Sequence, residues 1–263
     1  MPFIREALSS VRNQSKQPTE IVVVENKSND GTAQFLRTQN DIRLVQQLSL
    51  ESAPRNWSRA VAETTGDYVK VLCADDVLDS VILERQVSVL EQHPDVAMVV
   101  SARRVITPNG RVLIPRLGLR GNSRRIKSSE ALRIMALHGG NPFGEVGSVL
   151  FRGSVLRSCL PWPSNYGYTT DLAMYALILA SSDLYSLDEV HSSFRIGHDS
   201  WSHDVRRSQH SDQRLFIDAI DRRYNLNLSQ AERSVALFRA RLRQAIRQVL
   251  SALARLFDRV SKK

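Results

Sequence analysis

The chain has 263 residues, 42% of them apolar, and a net charge of +9, enough material for one full hydrophobic core plus an appendage. Two cysteines, Cys73 and Cys159, are too few for a disulfide framework. No apolar run reaches the roughly 18 residues of a bilayer span, and no charged-then-apolar leader is present, so a reducing cytoplasm is the expected compartment.

In chain order the pattern alternates between helical and strand periods. Residues 3 to 13 read as a helix, 20 to 24 as a strand, 31 to 38 as a helix capped by Ser28 or Asn29, and 42 to 46 as a short strand. The unit then repeats, with a helix over 56 to 65, a buried strand over 68 to 73, a helix over 79 to 92 stopped near Pro94, and a strand over 96 to 101. Pro108-Asn109-Gly110 has the chemistry of a hairpin turn. Residues 115 to 127 read as a mobile loop carrying Arg116, Arg120, Arg124, Arg125 and Lys127, either gripping an anionic ligand or simply solvated. A second loop covers 139 to 144, followed by a strand through Phe151, a helix over 170 to 181 and one or two strands over 184 to 196. This alternation predicts an α/β fold with a mainly parallel sheet flanked by helices.

From residue 228 to the end, nine basic residues oppose Glu232 and Asp258, so +7 of the +9 net charge lies in the tail. We divide the chain accordingly into a body, 1 to 227, and a basic helical tail, 228 to 263. Leu242, Ile246, Val249, Leu253, Leu256 and Val260 form an apolar stripe with Arg239, Arg243 and Arg247 beside it. Such a helix can lie on an anionic membrane surface, pack on the body of the protein, or pair with a second copy. Neither a groove-entering motif nor basic residues interleaved with stacking aromatics are found, so nucleic acid is not an expected partner.

Two acidic clusters each close an apolar run: Glu25 to Asp30 follows Ile21-Val22-Val23-Val24, and Asp75-Asp76 follows Tyr68-Val69-Lys70-Val71-Leu72. Ligands of open α/β sheets bind beyond the strand ends, and adjacent carboxylates repel unless a divalent cation lies between them. The alternative is that Asp75 and Asp76 cap the helix that begins near Asp79.

At these residues the chain resembles the family 2 glycosyltransferases of GT-A fold. Phe3 to Val11 is similar to the family's first helix, Glu20 to Thr32 to its nucleotide-binding strand and turn, and Gly66-Asp67-Tyr68-Val69 leading to Ala74-Asp75-Asp76 to the strand carrying its Asp-X-Asp metal motif. Gly147 to Arg152 and Thr170-Asp171-Leu172 follow in the expected order, and the likeness runs from about residue 2 to about residue 202. It implies a Rossmann-like GT-A sheet and transfer of a sugar from a nucleoside diphosphate, with inversion, to a hydroxyl of a glycan, glycolipid or glycoprotein.

The resemblance also implies roles. Asp75 and Asp76 would hold Mg²⁺ or Mn²⁺, joined by His198; Glu25, Asn26, Asp30, Asp75 and Arg195 would contact the nucleotide-sugar, Arg195 by clamping phosphate. Asp30 reads mainly as a turn residue, and Arg195 and His198 have surface-pairing and turn-capping alternatives. Asp171 would be the general base, or else an N-cap. Trp162 and Trp201 either stack on a sugar or pack in the core.

Three departures from the family pattern stand out. Cys73 occupies a position where many relatives have Asp, and Glu25 one where Asp is usual. Met1-Pro2 sits directly at the first helix, where relatives usually have a central strand; either the start lies upstream or a neighbouring strand edge must be covered some other way. A non-catalytic, nucleotide-sugar-binding or partner-binding relative is therefore the rival reading, and a peripheral position at the inner face of the membrane an alternative to free cytoplasm.

Overall fold

Ile4, Ala7, Leu8 and Val11 recur at three- and four-residue spacing, which gathers them on one side of a helix. In the computed structural model, which describes residues 2–196 and 208–260, they belong to α1 (Pro2–Arg12). Strands and helices then alternate through β1 (Val22–Glu25), α2 (Thr32–Arg37), β2 (Arg43–Gln46), α3 (Ala53–Ala62), β3 (Tyr68–Val69), β4 (Val77–Leu78), α4 (Ile82–Gln92) and β5 (Val96–Ile106). The second half supplies β6 (Val112–Leu117), β7 (Arg124–Ile126), α5 (Ser128–His138), β8 (Val149–Arg152), α6 (Gly153–Ser158), α7 (Thr170–Leu179) and β9 (Asp183–Arg195). Two more helices follow, α8 (Gln209–Tyr224) and α9 (Gln230–Val260).

The sheet is mixed. β1 and β2 pair in parallel, and so do β5 and β9, whereas β8 runs antiparallel to β3 and β5, and β4 antiparallel to β9. The Pro108-Asn109-Gly110 turn folds β6 back on β5 as its chemistry predicts, with Gly110 at φ 79°. β5 is central and apolar on both sides, as a strand covered by helices on both faces must be. Met98 and Val100 join Met135, Phe151, Met174 and Tyr175 in the larger core, while Val96 and Val99 pack with Val87, Leu90 and Leu150.

Three expectations shift. α3 begins at Ala53 rather than 56, because Pro54 fits the first turn of a helix. β5 continues to Ile106, five residues beyond the strand expected to end at 101, because β6 and β9 flank its second half. Within 115 to 127, β6 and β7 take up both ends of the expected loop, and three of its cations are held by carboxylates: Arg116 by Asp188, Arg124 by Glu130 at 2.7 Å, and Arg125 by Asp183 at 2.5 Å. Those three guanidinium groups are surface ion pairs rather than a diphosphate grip.

The strand expected over 68 to 73 carries ladder bonds only at Tyr68 and Val69. Lys70 instead ties this segment to its neighbour by its side chain, Nζ donating to the carbonyls of Gly147 at 3.1 Å and Val149 at 3.0 Å. On the other side lies a slot of about 670 Å³ that separates the segment from β1. Ile4, Leu8 and Val11 of α1 line it, together with Val23 and Val71. The two-stranded and seven-stranded sheets thus remain separate, and the resemblance that implies a central strand here meets an apolar gap between two strand edges.

α9 packs its first turns on α5 and α8. Ala236 and Ala240 are buried against Gly139, whose φ of 75° ends α5; a Cβ there would come within 2.6 Å of the Ala240 nitrogen and 2.7 Å of the Ala236 carbonyl oxygen. Two outcomes follow from this architecture. In hydrogen exchange, amides of residues 70 to 73 should lose protection far sooner than those of Met98 to Val100, and equal protection would mean that the slot is closed in solution. Gly139→Ala should cost about 2 kcal/mol or more in urea unfolding, because it combines a left-handed φ with a clash that α9 must move to relieve.

Candidate active site

The segment leaving β3 ends in Cys73-Ala74-Asp75-Asp76, where the chain turns into β4. Side-chain ligand atoms of Cys73, Asp75 and Asp76 all lie within 4.8 Å of one another. Asp76 is 4% exposed, and its Oδ1 accepts the backbone N–H of Arg195 at 2.9 Å. Desolvation pushes the Asp75 carboxyl above its usual range; desolvation and then the Asp75 charge push Asp76 well above it. Burial, with both neighbouring carboxylates adding to it, likewise raises the Cys73 thiol. Cys73 therefore stays protonated near neutral pH, leaving two hard oxygen donors side by side.

Asp171 is the second residue of α7. Its Oδ1 accepts the Leu172 N–H at 2.8 Å, and its Oδ2 accepts from Asn141 Nδ2 at 2.6 Å. Burial first, and then the Glu145 charge, move its carboxyl up to about 6, against the pull of those two donors. It orders its own backbone turn, but a flanking side chain also orients it, which simple helix capping does not need.

Asn141, Glu145 and Arg103 complete this end of the sheet, and none of the three stands out in the sequence. Asn141 Oδ1 accepts the N–H groups of Phe143 and Gly144, both at 3.0 Å, so one side chain shapes its loop and holds Asp171. Gly144, at φ 94°, leaves room for Arg103 and Ser148 where a Cβ would reach 2.8 Å from Ser148 Cβ. Arg103 is 5% exposed and its Nε is bonded to Glu145; among the described residues its Nη1 has no acceptor. An Asn-Pro-x-Gly-Glu loop directly before an apolar strand was the available sequence signal.

The charges of Asp75, Asp76, Glu145 and Asp171 all act on Cys73, so the two acidic segments are near enough to share one electrostatic environment. Glu25 lies at the end of β1 on the slot that Cys73 also lines, 5% exposed, its Oε1 accepting the Ser28 N–H at 2.5 Å. Asn26 lies beside it, its amide bonded both ways to the backbone of Glu51 at 2.9 Å. Asp30 is exposed and accepts the Thr32 N–H at 3.1 Å, in the turn role expected of it.

Arg195 does not face open solvent as a phosphate clamp would. It is 1% exposed, and its guanidinium bonds to the Asp75 carbonyl at 2.7 Å, the Pro108 carbonyl at 2.8 Å and Glu6 at 2.6 Å. Of the two alternatives read from the sequence, pairing to a surface carboxylate is the one seen here, through Glu6; these donors are committed to the protein, and phosphate would have to displace them. Trp162 is a core residue, 2% exposed, with its Nε1 bonded to the Thr170 carbonyl and its ring edge-on to Trp57 at 5.2 Å. His198 and Trp201 lie outside the described residues.

Comparison with known proteins bears on what such a site does. The family described as "Glycosyl transferase family 2" matches residues 1–158. "Putative glycosyltransferase EpsE" of Bacillus subtilis (strain 168) is 26% identical over 160 residues, covering 59% of this chain and 53% of the relative. The chain thus spans about half the length of that relative. Among solved structures, S. aureus TarS 1-349 in complex with UDP-GlcNAc matches with a TM-score of 0.66 and 18% identity, over 90% of this chain and 67% of that one. The mannosyltransferase PcManGT from Pyrobaculum calidifontis, in complex with GDP-Man and Mn2+, matches with a TM-score of 0.60 and 19% identity, over 100% of this chain and 77% of that one. At such identities these structures establish the glycosyltransferase GT-A fold alone, whereas the sequence match covers more than half of the chain, and the chain belongs to glycosyl transferase family 2.

Proposed function

We propose that this protein is a metal-dependent, inverting glycosyltransferase that moves a sugar from a nucleoside-diphosphate donor to a hydroxyl of a glycan or lipid-linked acceptor. The observation that carries the reading is the carboxylate pair Asp75 and Asp76, whose ligand atoms lie within 4.8 Å of each other and of Cys73, with Glu145 and Asp171 near enough for their charges to act on the same thiol. Two of these carboxyls are adjacent and driven toward protonation, a state that a cation reverses; of the other two, Glu145 is paired with Arg103, and Asp171 is held by Asn141 and the Leu172 N–H.

Asp75 and Asp76 fit a hard divalent ion through their oxygen donors, and Mg²⁺ and Mn²⁺ are both compatible with that set. Bound there, the ion would supply Lewis-acid stabilisation of the charge that develops on the departing diphosphate. Glu25 and Asn26, which line the slot at the end of β1, would meet the nucleotide. Arg103, with its Nη1 lacking an acceptor among the described residues, can donate to an oxygen of the bound sugar or acceptor.

Asp171 takes the proton of the acceptor hydroxyl as its oxygen attacks the anomeric carbon. The bond from that carbon to the phosphate oxygen breaks with its electron pair going to the diphosphate. With base and leaving group on opposite faces, the configuration inverts. A non-catalytic relative remains the second reading because one specific observation favours it: Cys73, a protonated thiol, stands beside Asp75 and Asp76 where many members of the family carry Asp.

Titration with nucleoside diphosphates, with and without Mn²⁺, separates the two readings. Binding that tightens at least tenfold with metal, and is lost in Asp75→Asn/Asp76→Asn, supports the enzyme; no binding at millimolar nucleotide supports the second reading.

In a donor screen read by released nucleoside diphosphate, Asp171→Asn should lower kcat by at least the 10²-fold typical of a lost general base while donor affinity stays unchanged. Full turnover in that variant would remove the base assignment.

Because Asp171 must be ionised to act, kcat/KM should fall tenfold per pH unit below about 6. Glu145→Gln should move that limb to lower pH, since it removes the neighbouring charge that raises the carboxyl. The folded state binds this proton more tightly than the unfolded chain does, so stability should fall as pH rises from about 4 to about 6. Asp171→Asn, which stays neutral, should accordingly melt higher than the native chain at pH 7.5, with the difference closing near pH 4.

A further inference from the structure

The inner face of α9 is accounted for by Ala236 and Ala240 on Gly139, but the opposite face has no cover. Val235, Phe238, Leu242, Ile246 and Val249 are 48%, 67%, 52%, 49% and 58% exposed, and all five are prominent among the exposed large apolar side chains of the described residues. At 100° per residue they fall within about 80° of arc, which makes one continuous stripe rather than scattered exposure. Over the 14 steps from Val235 to Val249 the stripe is roughly 21 Å long.

Cations border it on both sides. Arg239 and Arg243 lie along one flank and Arg241 along the other, each exposed. Their contacts are with neutral acceptors: Arg239 donates to the Leu137 carbonyl, Arg243 to the His138 carbonyl, and Arg241 to the His210 ring, at 3.0, 3.1 and 3.1 Å. Among the described residues, the ion pairs of α9 involve only Glu232 and Arg233, at its start. The uncompensated charge is felt nearby: burial, reinforced by Arg243 and Arg239 among other cations, lowers His138 to about 4.

We propose that this face of α9 binds an anionic phospholipid surface, with the five apolar side chains entering the headgroup boundary and the flanking arginines meeting lipid phosphates. Charge decides between occupants. A second copy seated on the stripe would bring Arg239, Arg241 and Arg243 of both chains into one seam, where like charges oppose association. A lipid surface supplies the opposite sign, and a stripe of this width with arginine on its shoulders suits a helix lying in the interface plane. No described helix is long and apolar enough to cross a membrane, so the contact would be peripheral.

The inner face of the same helix reaches the site: Arg247 bonds to the Tyr168 hydroxyl, and the charge of Asp171 acts on Tyr168. A surface on the outer face would thus lie about one helix diameter, roughly 10 Å, from the acceptor side. This consequence for acceptor delivery rests on the reading in the previous section; the membrane contact itself does not.

The test is flotation of the full chain with vesicles of phosphatidylcholine alone and of phosphatidylcholine with phosphatidylglycerol, without donor or metal. Expected is recovery with the anionic vesicles only, and at least a tenfold loss of affinity in Phe238→Asp/Leu242→Asp, whose thermal midpoint should match the native chain because both positions are exposed. Arg241→Glu should weaken binding roughly fivefold or more, near the value of about 1 kcal/mol per cation at an anionic surface.

Three results would overturn the proposal: a native chain that floats with neither vesicle, a Phe238→Asp/Leu242→Asp variant that binds as the native chain does, or light scattering that finds a dimer which the same variant splits while vesicles stay bare. Vesicle binding is read without nucleotide, so its failure leaves the donor titration unaffected, and failure of that titration leaves the lipid face standing.

Discussion

The geometry of the candidate site depends on one buried cation. Arg195 ends β9 with 1% exposure, and a guanidinium so placed is tolerated only when its donors are met. They are met by three separate stretches of chain: α1, through Glu6 and the ring face of Phe3 at 4.8 Å, the Asp75 carbonyl, and the Thr107 and Pro108 carbonyls of the β5–β6 turn. Its own backbone N–H then holds Asp76. The acidic turn is fixed as a consequence, because neither Asp75 nor Asp76 can move without breaking a bond to Arg195. The same charge lowers both carboxyls against the desolvation that raises them, so the cation that positions the pair also keeps it within reach of ionisation.

This explains what was legible in the sequence and what was not. Asp75, Asp76 and Asp171 could be picked out because a carboxylate after an apolar run or at a helix start leaves a local signature. β1, β2, α7 and the hairpin at Asn109-Gly110 were visible on the same grounds, since each is set by period and turn chemistry within a few residues. Arg195 was visible as an arginine but not as a brace, for its acceptors lie 87 to 189 residues away. Glu145 and Arg103 share that difficulty, as their pairing spans 42 residues and neither interrupts a hydrophobic pattern. The mixed strand order was hidden for a different reason: alternation of helix and strand specifies neighbours in sequence, whereas β8 enters between β3 and β5 from far along the chain.

The extension of β3 shows the opposite failure, in which a correct local reading was overridden. Tyr68 to Cys73 has the composition of a buried strand, and Val69 and Val71 are indeed buried. A strand, however, is defined by its partners, and past Val69 the segment has a side-chain tie from Lys70 in place of a ladder. The apolar slot beside it exacts a stability cost, since its lining forgoes packing that a filled core would have. Acidic groups pushed toward protonation add to that cost at neutral pH. Both features sit at the ends or flank of the same segment, so the least stabilised part of the sheet is also the part that bears Cys73, Asp75 and Asp76, as expected where function competes with packing.

α9 resolves a different ambiguity. From sequence, its amphipathic pattern fits a membrane surface, a partner copy or the protein's own body equally well, because periodicity reports that a face is apolar without saying what covers it. The structure divides the helix between two roles. Small residues, Ala236 and Ala240, are spent on close approach to Gly139, while the large ones, Phe238 and Leu242 among them, are turned outward. Were docking to the body the whole purpose of the helix, the larger apolar area would be inside, since burial stabilises in proportion to area. The inverse arrangement, with arginine along both shoulders of the outer stripe, is the one that the proposed contact with an anionic surface calls for.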